Sequence, residues 1–394
     1  MSMPDRARRR RAWLEIDLDA LRHNVGVIRG VAGPTTALAP VVKADGYGHG
    51  VAVVGPALAP QVDALCVATL DEAVALRAAV DCRILVLYPV PPEAAPEVAV
   101  AGLEPTIMSP ADLQGLRDAL VGDGIAPERA ALLSLQLCVE TGMGRGGLPV
   151  EQVAALAATI AADERLDLVG IWSHMASPED PEATAAQLQR FSVAVDSLRA
   201  AGLPVPPRHL AASGGLFSGT TPALELVRPG LAVYGMLDEE LPVPEQLRAA
   251  AADLRPAMSL KAAAVAISEI PVGGTVGYGG RWRAERPSSV AILPVGYGDG
   301  FLRGSQPGAE VLLRGRRLPV LGAISMDAVA VDVTDVPDVS EADEFVLLGR
   351  QGDVAISAVE LARRRNTIAW EVLSSMAGRL DRVYYPLAVP SIND

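Results

Sequence analysis

Val41-Val42-Lys43-Ala44-Asp45-Gly46-Tyr47-Gly48-His49-Gly50 is the stretch on which the reading of this chain turns. A short apolar run, Leu38–Val42, ends on a lysine and passes into a segment with glycine at every second position. Those glycines allow tight turns and a close approach of backbone to a ligand. Of 34 basic residues only Lys43 and Lys261 are lysine. A chain that otherwise uses arginine keeps a lysine where a primary amine must lose its proton, which a guanidinium with a pKa above about 12 does not do. A strand-end lysine beside a glycine-rich loop suits a Schiff-base lysine holding a carbonyl cofactor. A solvated loop lysine is the other reading of the same residues. Lys261, between Met258-Ser-Leu260 and a run of alanines, reads as structural.

Outward from Lys43, short apolar or β-rich runs recur at Leu38–Val42, Ala64–Ala68, Arg83–Leu87, Leu103–Ile107, Ala131–Val139, Leu166–Trp172, Pro207–Ala212 and Leu226–Tyr234. Helical stretches separate most of them. Asp71–Val80 opens with Asp71 as a candidate N-cap, Pro110–Val121 has proline in its first turn, and Val150–Asp163 and Pro181–Ala201 are longer. Eight strands alternating with helices predict a (β/α)8 barrel of the TIM type, whose chemistry sits at the C-terminal strand ends. Lys43, His174, Ser213 and Arg228 fall there. After about residue 245 the texture changes. Lys261–Ile270, Ser288–Leu293, Glu310–Leu313 and Ala328–Val333 are joined by Gly/Pro turns, with little helical periodicity before Ser357, which predicts a mostly antiparallel β domain. The expected organisation is a basic disordered tail over 1–12, a barrel over 13–245, with pairing of its first strand to the C-terminal domain as an alternative, and a β domain over 246–394.

Composition narrows the function classes. The 394 residues carry 34 Lys plus Arg against 47 Asp plus Glu, a net charge of −13, which argues against a nucleic-acid surface. No apolar run approaches the 18 or so residues of a membrane span. Five arginines among residues 6–11 are followed at once by Glu15, Asp17 and Asp19, unlike a signal peptide. Cys66, Cys82 and Cys138 show no CxxC spacing, so a reduced, cytoplasmic chain without a metal centre is expected.

Other clusters carry weaker signals. Glu140-Thr-Gly-Met-Gly-Arg145-Gly-Gly exposes backbone N–H groups beside a cation. It reads equally as a tolerant surface loop. Val227-Arg228-Pro229-Gly230 sets an arginine at a strand end before a glycine suited to phosphate. His174 and His209 follow predicted strands. Gly277-Tyr278-Gly279-Gly280 and Gly296-Tyr297-Gly298-Asp299-Gly300 place tyrosines in turns.

Val42–Gly50 resembles the pyridoxal-phosphate attachment motif of the alanine racemase family. Thr141–Arg145, Val227–Gly230, Val276–Gly279, Gly296–Gly300 and Ser325-Met326-Asp327 follow in the order that family shows, from about Trp13 to Tyr385. The resemblance implies a homodimeric, pyridoxal 5'-phosphate-dependent amino-acid racemase, with alanine the first substrate and another small amino acid the alternative. It implies Lys43 as the internal-aldimine lysine and base for the D-enantiomer. Tyr278, from the second subunit, is then the base for the L-enantiomer. His174, Arg228 and His209 match the hydrogen-bonded chain behind that tyrosine, with Asp71 at its end. Arg228 faces the pyridine nitrogen, Arg145 the phenolate oxygen and substrate carboxylate, and Tyr47, Ser213, Gly230 and Leu231 the phosphate. Met326 and Asp327 line the substrate side, and Tyr297 and Arg303 the entrance.

Five positions depart from the family pattern. Cys138 and Glu140 stand where many members have a lysine, often carbamylated, and an aspartate, so Glu140 or a bound anion is expected to orient Arg145. Trp370 replaces a phosphate-binding tyrosine, Ala212 an asparagine and Ala323 an arginine. The competing readings are a basic-amino-acid decarboxylase, whose cysteine-bearing specificity region is missing here, and a non-catalytic cofactor carrier, which resembles the barrel alone.

Overall fold

The computed structural model describes residues 10–122, 132–376 and 378–386. The chain divides into two units. One is Ala20–Gly46 with Val51–Arg255, and the other groups the chain up to Asp19, Tyr47–Gly50 and the chain from Pro256 on.

The first unit holds the eight expected barrel strands. After β1 (Ala12–Asp17), which belongs to the other unit, come β2 (Ala37–Leu38), β3 (Ala64–Val67), β4 (Arg83–Val86), β5 (Leu103–Ile107), β6 (Leu133–Cys138), β7 (Leu166–Trp172), β8 (Arg208–His209) and β9 (Leu226–Val227). β3 to β8 form one parallel sheet in sequence order, and β2 pairs with β9 in parallel. A bridge between Val41 and Cys66 joins the β2 side to β3, and the Arg228 N–H donates to the Ala211 carbonyl at 2.9 Å beyond β8 and β9. The ring is thereby closed as a TIM-type barrel. Leu65, Val67, Ile84, Val86, Leu135, Leu137 and Ile171 are fully buried on its strands, each such burial contributing about 1.5–3 kcal/mol.

Local chemistry explains the helix starts. Asp180 accepts from the Glu182 and Ala183 N–H groups and Pro181 follows, which opens the helix Pro181–Ala200. Asp71 is not a cap. Thr69 caps the helix Leu70–Arg77, its hydroxyl on the Glu72 N–H and the Glu72 carboxylate returned to the Thr69 N–H. The stretch from Val150 begins as a 3-10 turn, Val150–Gln152, before the α-helix Val153–Ala161.

The second unit is a ten-stranded sheet. Its neighbours run Ala266–Ile270, Ser288–Leu293, Val329–Asp332, Arg316–Leu321, Glu310–Leu313, Glu344–Gln351, Met258–Ala263, β1 and Asp381–Tyr385, with Val354–Ile356 beside Glu344–Gln351. The pairings are antiparallel except β1 with Asp381–Tyr385. The single strand expected over Lys261–Ile270 is two, because Met258–Ala263 pairs with β1 and Glu344–Gln351 while Ala266–Ile270 pairs with Ser288–Leu293. Lys261 is structural: its Nζ sits 2.8 Å from Glu15 and 3.0 Å from Glu344. Of the expected tail, residues 1–9 lie outside the described residues, while Arg10 donates to Asp299 and to the Arg379 carbonyl. Among the described residues no helix is long and apolar enough to cross a membrane.

Candidate active site

Lys43 stands just past β2, at the C-terminal end of the barrel. The chain after it takes an unusual course: Ala44, Asp45, Gly46 and Tyr47 have φ of 52°, 54°, 63° and 52°, a run of left-handed residues. Such geometry costs roughly 1–2 kcal/mol per non-glycine residue, so neighbours must hold it. The Gly46 N–H reaches the Val42 carbonyl at 2.9 Å, Glu72 accepts the Ala44 N–H at 2.7 Å, and Asp45 accepts the Val51 N–H at 2.8 Å. Burial and the Arg145 charge lower the Lys43 pKa, opposed by Glu72. A neutral amine is therefore more accessible here than on a free lysine.

Arg228, 2% exposed, follows β9. Its Nη1 donates to the His209 carbonyl at 2.9 Å and to His209 Nδ1, its Nη2 to the Ser173 carbonyl at 2.7 Å, and its guanidinium stacks 4.6 Å above the Trp172 ring. Nε meets no protein acceptor among the described residues. Burial lowers its pKa to about 10, so it remains a cation. Ser213 Oγ accepts the Gly230 and Ala232 N–H groups at 2.9 and 3.1 Å, which leaves its own O–H to donate to an anion. Leu231 opens the turn Leu231–Tyr234, where the first N–H groups have no internal partner.

The expected chain of His174, Arg228, His209 and Asp71 holds only in its Arg228–His209 link. The His174 ring, two residues past β7, bonds neither, and burial with the charges of Arg228, Arg145 and Lys43 takes its pKa down to about 3. Asp71 is exposed in the first turn of its helix and ends nothing. From His209 the chain runs instead to Gln136 and Glu104, residues that carry no motif and went unread in the sequence. Nor does Glu140 orient Arg145: its carboxylate takes the Gly142 and Gly144 N–H groups. Arg145 is exposed and has no ion-pair partner among the described residues. Cys138, buried at the end of β6, is pushed up to about 12 and is a neutral thiol.

The remaining expected residues lie on the β unit. Tyr278 follows Gly277, whose φ of 74° and ψ of −175° need glycine, and is 76% exposed. It borders an apolar groove of about 380 Å³ with Val276, Ile292, Leu321, Ala323 and Ser325. The turn around Tyr297 docks on Ser325 and Met326 through N–H bonds from Tyr297 and Gly298 at 3.0 and 2.9 Å. Buried Asp299 holds that turn with Arg10 and Arg379, and Arg379 also pairs with Asp327. Arg303 is exposed. Tyr47 is buried, and Trp370 is half-buried in the helix Ala369–Ser374.

A closed (β/α)8 barrel with a lysine of lowered pKa and a buried guanidinium at its mouth, followed by an antiparallel β unit, defines a class of two-domain barrel enzymes. The profile of the alanine racemase N-terminal domain matches residues 16–238, and that of its C-terminal domain residues 257–384. The alanine racemase of Desulfovibrio desulfuricans is 38% identical over 380 residues, covering 95% of this chain and 98% of that protein. That of Synechocystis is 38% identical over 381 residues, covering 95% and 99%. The solved alanine racemase of D-cycloserine-producing Streptomyces lavendulae superposes with a TM-score of 0.84 at 33% identity, covering 97% and 98%. The chain belongs to the alanine racemase family.

Proposed function

We propose that this protein is a pyridoxal 5'-phosphate-dependent racemase interconverting L- and D-alanine. The observation that carries it is the barrel mouth, where Lys43, its pKa lowered, shares one strand-end rim with buried Arg228 and the Ser213–Gly230–Ala232 donor cluster. A primary amine able to bond a carbonyl carbon, an inward cation with an unpartnered Nε, and a hydroxyl among backbone N–H groups fit the aldehyde, ring nitrogen and phosphate of that cofactor. When bound, it withdraws electrons from the substrate's α-carbon and makes the α-proton acidic.

Inversion needs proton removal on one face and delivery on the other, so two groups must flank the α-carbon. Lys43 Nζ serves one face. Arg145, which has no acidic partner among the described residues, would receive the substrate carboxylate. Arg228, a cation that keeps its protons, would offer a hydrogen bond to the ring nitrogen without transferring a proton. That favours simple reprotonation over transamination. Tyr278 Oη serves the opposite face. Its exposure supports a homodimer in which each copy supplies Tyr278, Met326 and Asp327 to the other's Lys43. Ser213, Gly230 and Leu231 would hold the phosphate. The three free cysteines support a cytoplasmic setting.

The test is α-proton exchange in D2O on each common L-amino acid, with chiral chromatography of any hit. Exchange on alanine with D-alanine appearing is expected. Tyr278→Phe should lose about 10²–10⁴-fold of turnover, whereas a cofactor carrier would show no exchange in either form.

A further inference from the structure

We propose that Glu104 is a positioning residue for Arg228, acting through Gln136 and His209 along a polar chain inside the barrel. The proposal rests on the reading of Arg228 as a cofactor-facing guanidinium. Four side chains from β5, β6, β8 and the end of β9 form the chain, and none is more than 5% exposed. Arg83 on β4 clamps Glu104 with Nε–Oε1 2.7 Å and Nη2–Oε2 3.0 Å. Gln136 Nε2 donates to Glu104 Oε2 at 2.7 Å, and Gln136 Oε1 faces His209 Nε2 at 2.9 Å. His209 Nδ1 faces Arg228 Nη1.

The chemistry of each group dictates the direction of these bonds. A carboxylate paired with a bidentate arginine is ionised and only accepts. Gln136 must therefore turn its NH2 to Glu104 and its oxygen to His209. That oxygen requires the proton on His209 Nε2, which leaves Nδ1 bare to accept from Arg228. The polarity set at Glu104 thus agrees with the one the guanidinium needs, and a neutral imidazole is held against the cation. Burial and Arg228 also keep His209 unprotonated.

Two further observations separate this role from plain packing. The Arg83 side chain is 44% exposed, an ion pair that reaches solvent adds little to stability, and all five residues of β5 are buried, so the fold alone does not require a carboxylate at 104. Gly170 on β7, opposite Gln136, leaves the space in which the amide lies: a Cβ there would stand 1.9 Å from Gln136 Oε1. The strand gives up a side chain where the relay passes.

The test uses holoenzyme labelled with ¹⁵N-histidine and long-range proton–nitrogen correlation, with His209 assigned by substitution among four histidines. The wild-type ring is expected with its proton on Nε2, protected from exchange. Glu104→Leu, and separately Gly170→Ala, should shift the ring pair and lose that protected proton. Each should lower kcat about ten-fold with KM little changed. The double variant should be no worse than the worse single one, since both break the same relay. Glu104→Met, which is close in volume and offers no oxygen acceptor to Gln136, carries the same readout if the leucine variant does not fold. Unchanged His209 resonances in the Glu104 variants would overturn the proposal and leave Glu104 as a partner of Arg83 alone. Because the spectrum does not depend on turnover, that failure is distinct from failure of the racemase reading.

Discussion

Glu72 Oε1 accepts the backbone N–H of Ala44, the residue after Lys43, at 2.7 Å, while Oε2 accepts the Ala68 N–H at 2.8 Å. One carboxylate thus ties the left-handed turn to the end of β3 and caps the following helix. Glu72→Ala is expected to cost about 1–3 kcal/mol of stability, the range for orphaned backbone donors, measured by urea unfolding. It also removes the charge that opposes Arg145, so the pH midpoint for acylation of Lys43 should move lower.

The buried histidines set a pH dependence. His174 and His209 are neutral in the fold with pKa values below the ordinary 6.5. The unfolded chain therefore binds more protons below pH 6.5, and stability falls as pH falls through that value. The loss approaches about 1.4 kcal/mol per pH unit for each histidine. Urea midpoints at pH 5 to 8 should rise to about pH 6.5 and then level, and His174→Asn should make the rise shallower.

Gly48 has a φ of +79°, and a Cβ there would stand 2.4 Å from the Leu373 carbonyl oxygen. The obstacle is backbone and does not give way. Gly48→Ala should destabilise by at least about 2 kcal/mol. An unfolding midpoint equal to that of the parent would show that the helix Ala369–Ser374 shifts freely.

Ala323 lines the groove beside Tyr278, and a Cβ on Gly277 would stand 3.6 Å from the Ala323 backbone N and O. Ala323→Arg should fill part of that space. The ratio of kcat/KM on serine to that on alanine is expected to fall by about ten-fold, in the range a few pocket atoms can discriminate.

The barrel was legible because each strand is an apolar run bounded by helix or turn residues, down to Leu103–Ile107, all of it buried. Lys43 was legible because lysine is so scarce here. The helix cap was misread although its signal was present: Thr69 and Glu72 have the spacing of a capping box, and Asp71 lies between them. The left-handed run was hidden, since only Gly46 among its four residues favours that geometry. The chain behind Arg228 was hidden for a different reason. Gln136 is 32 residues from Glu104 and 73 from His209, and isolated polar residues on apolar strands announce no partner until the barrel closes.

The place of β1 has a consequence for synthesis on the ribosome. It pairs on one side with Met258–Ala263 and on the other with Asp381–Tyr385. The barrel strands are all translated by Val227, but the first strand made must wait for Met258–Ala263 before it has one neighbour and for nearly the whole chain before it has the second. During that interval its apolar residues Trp13, Leu14 and Ile16 present an open edge, the kind that recruits foreign strands. Truncation near the C-terminus therefore strands the N-terminus as well, and a nascent chain stalled before Met258 is the form most in need of a chaperone.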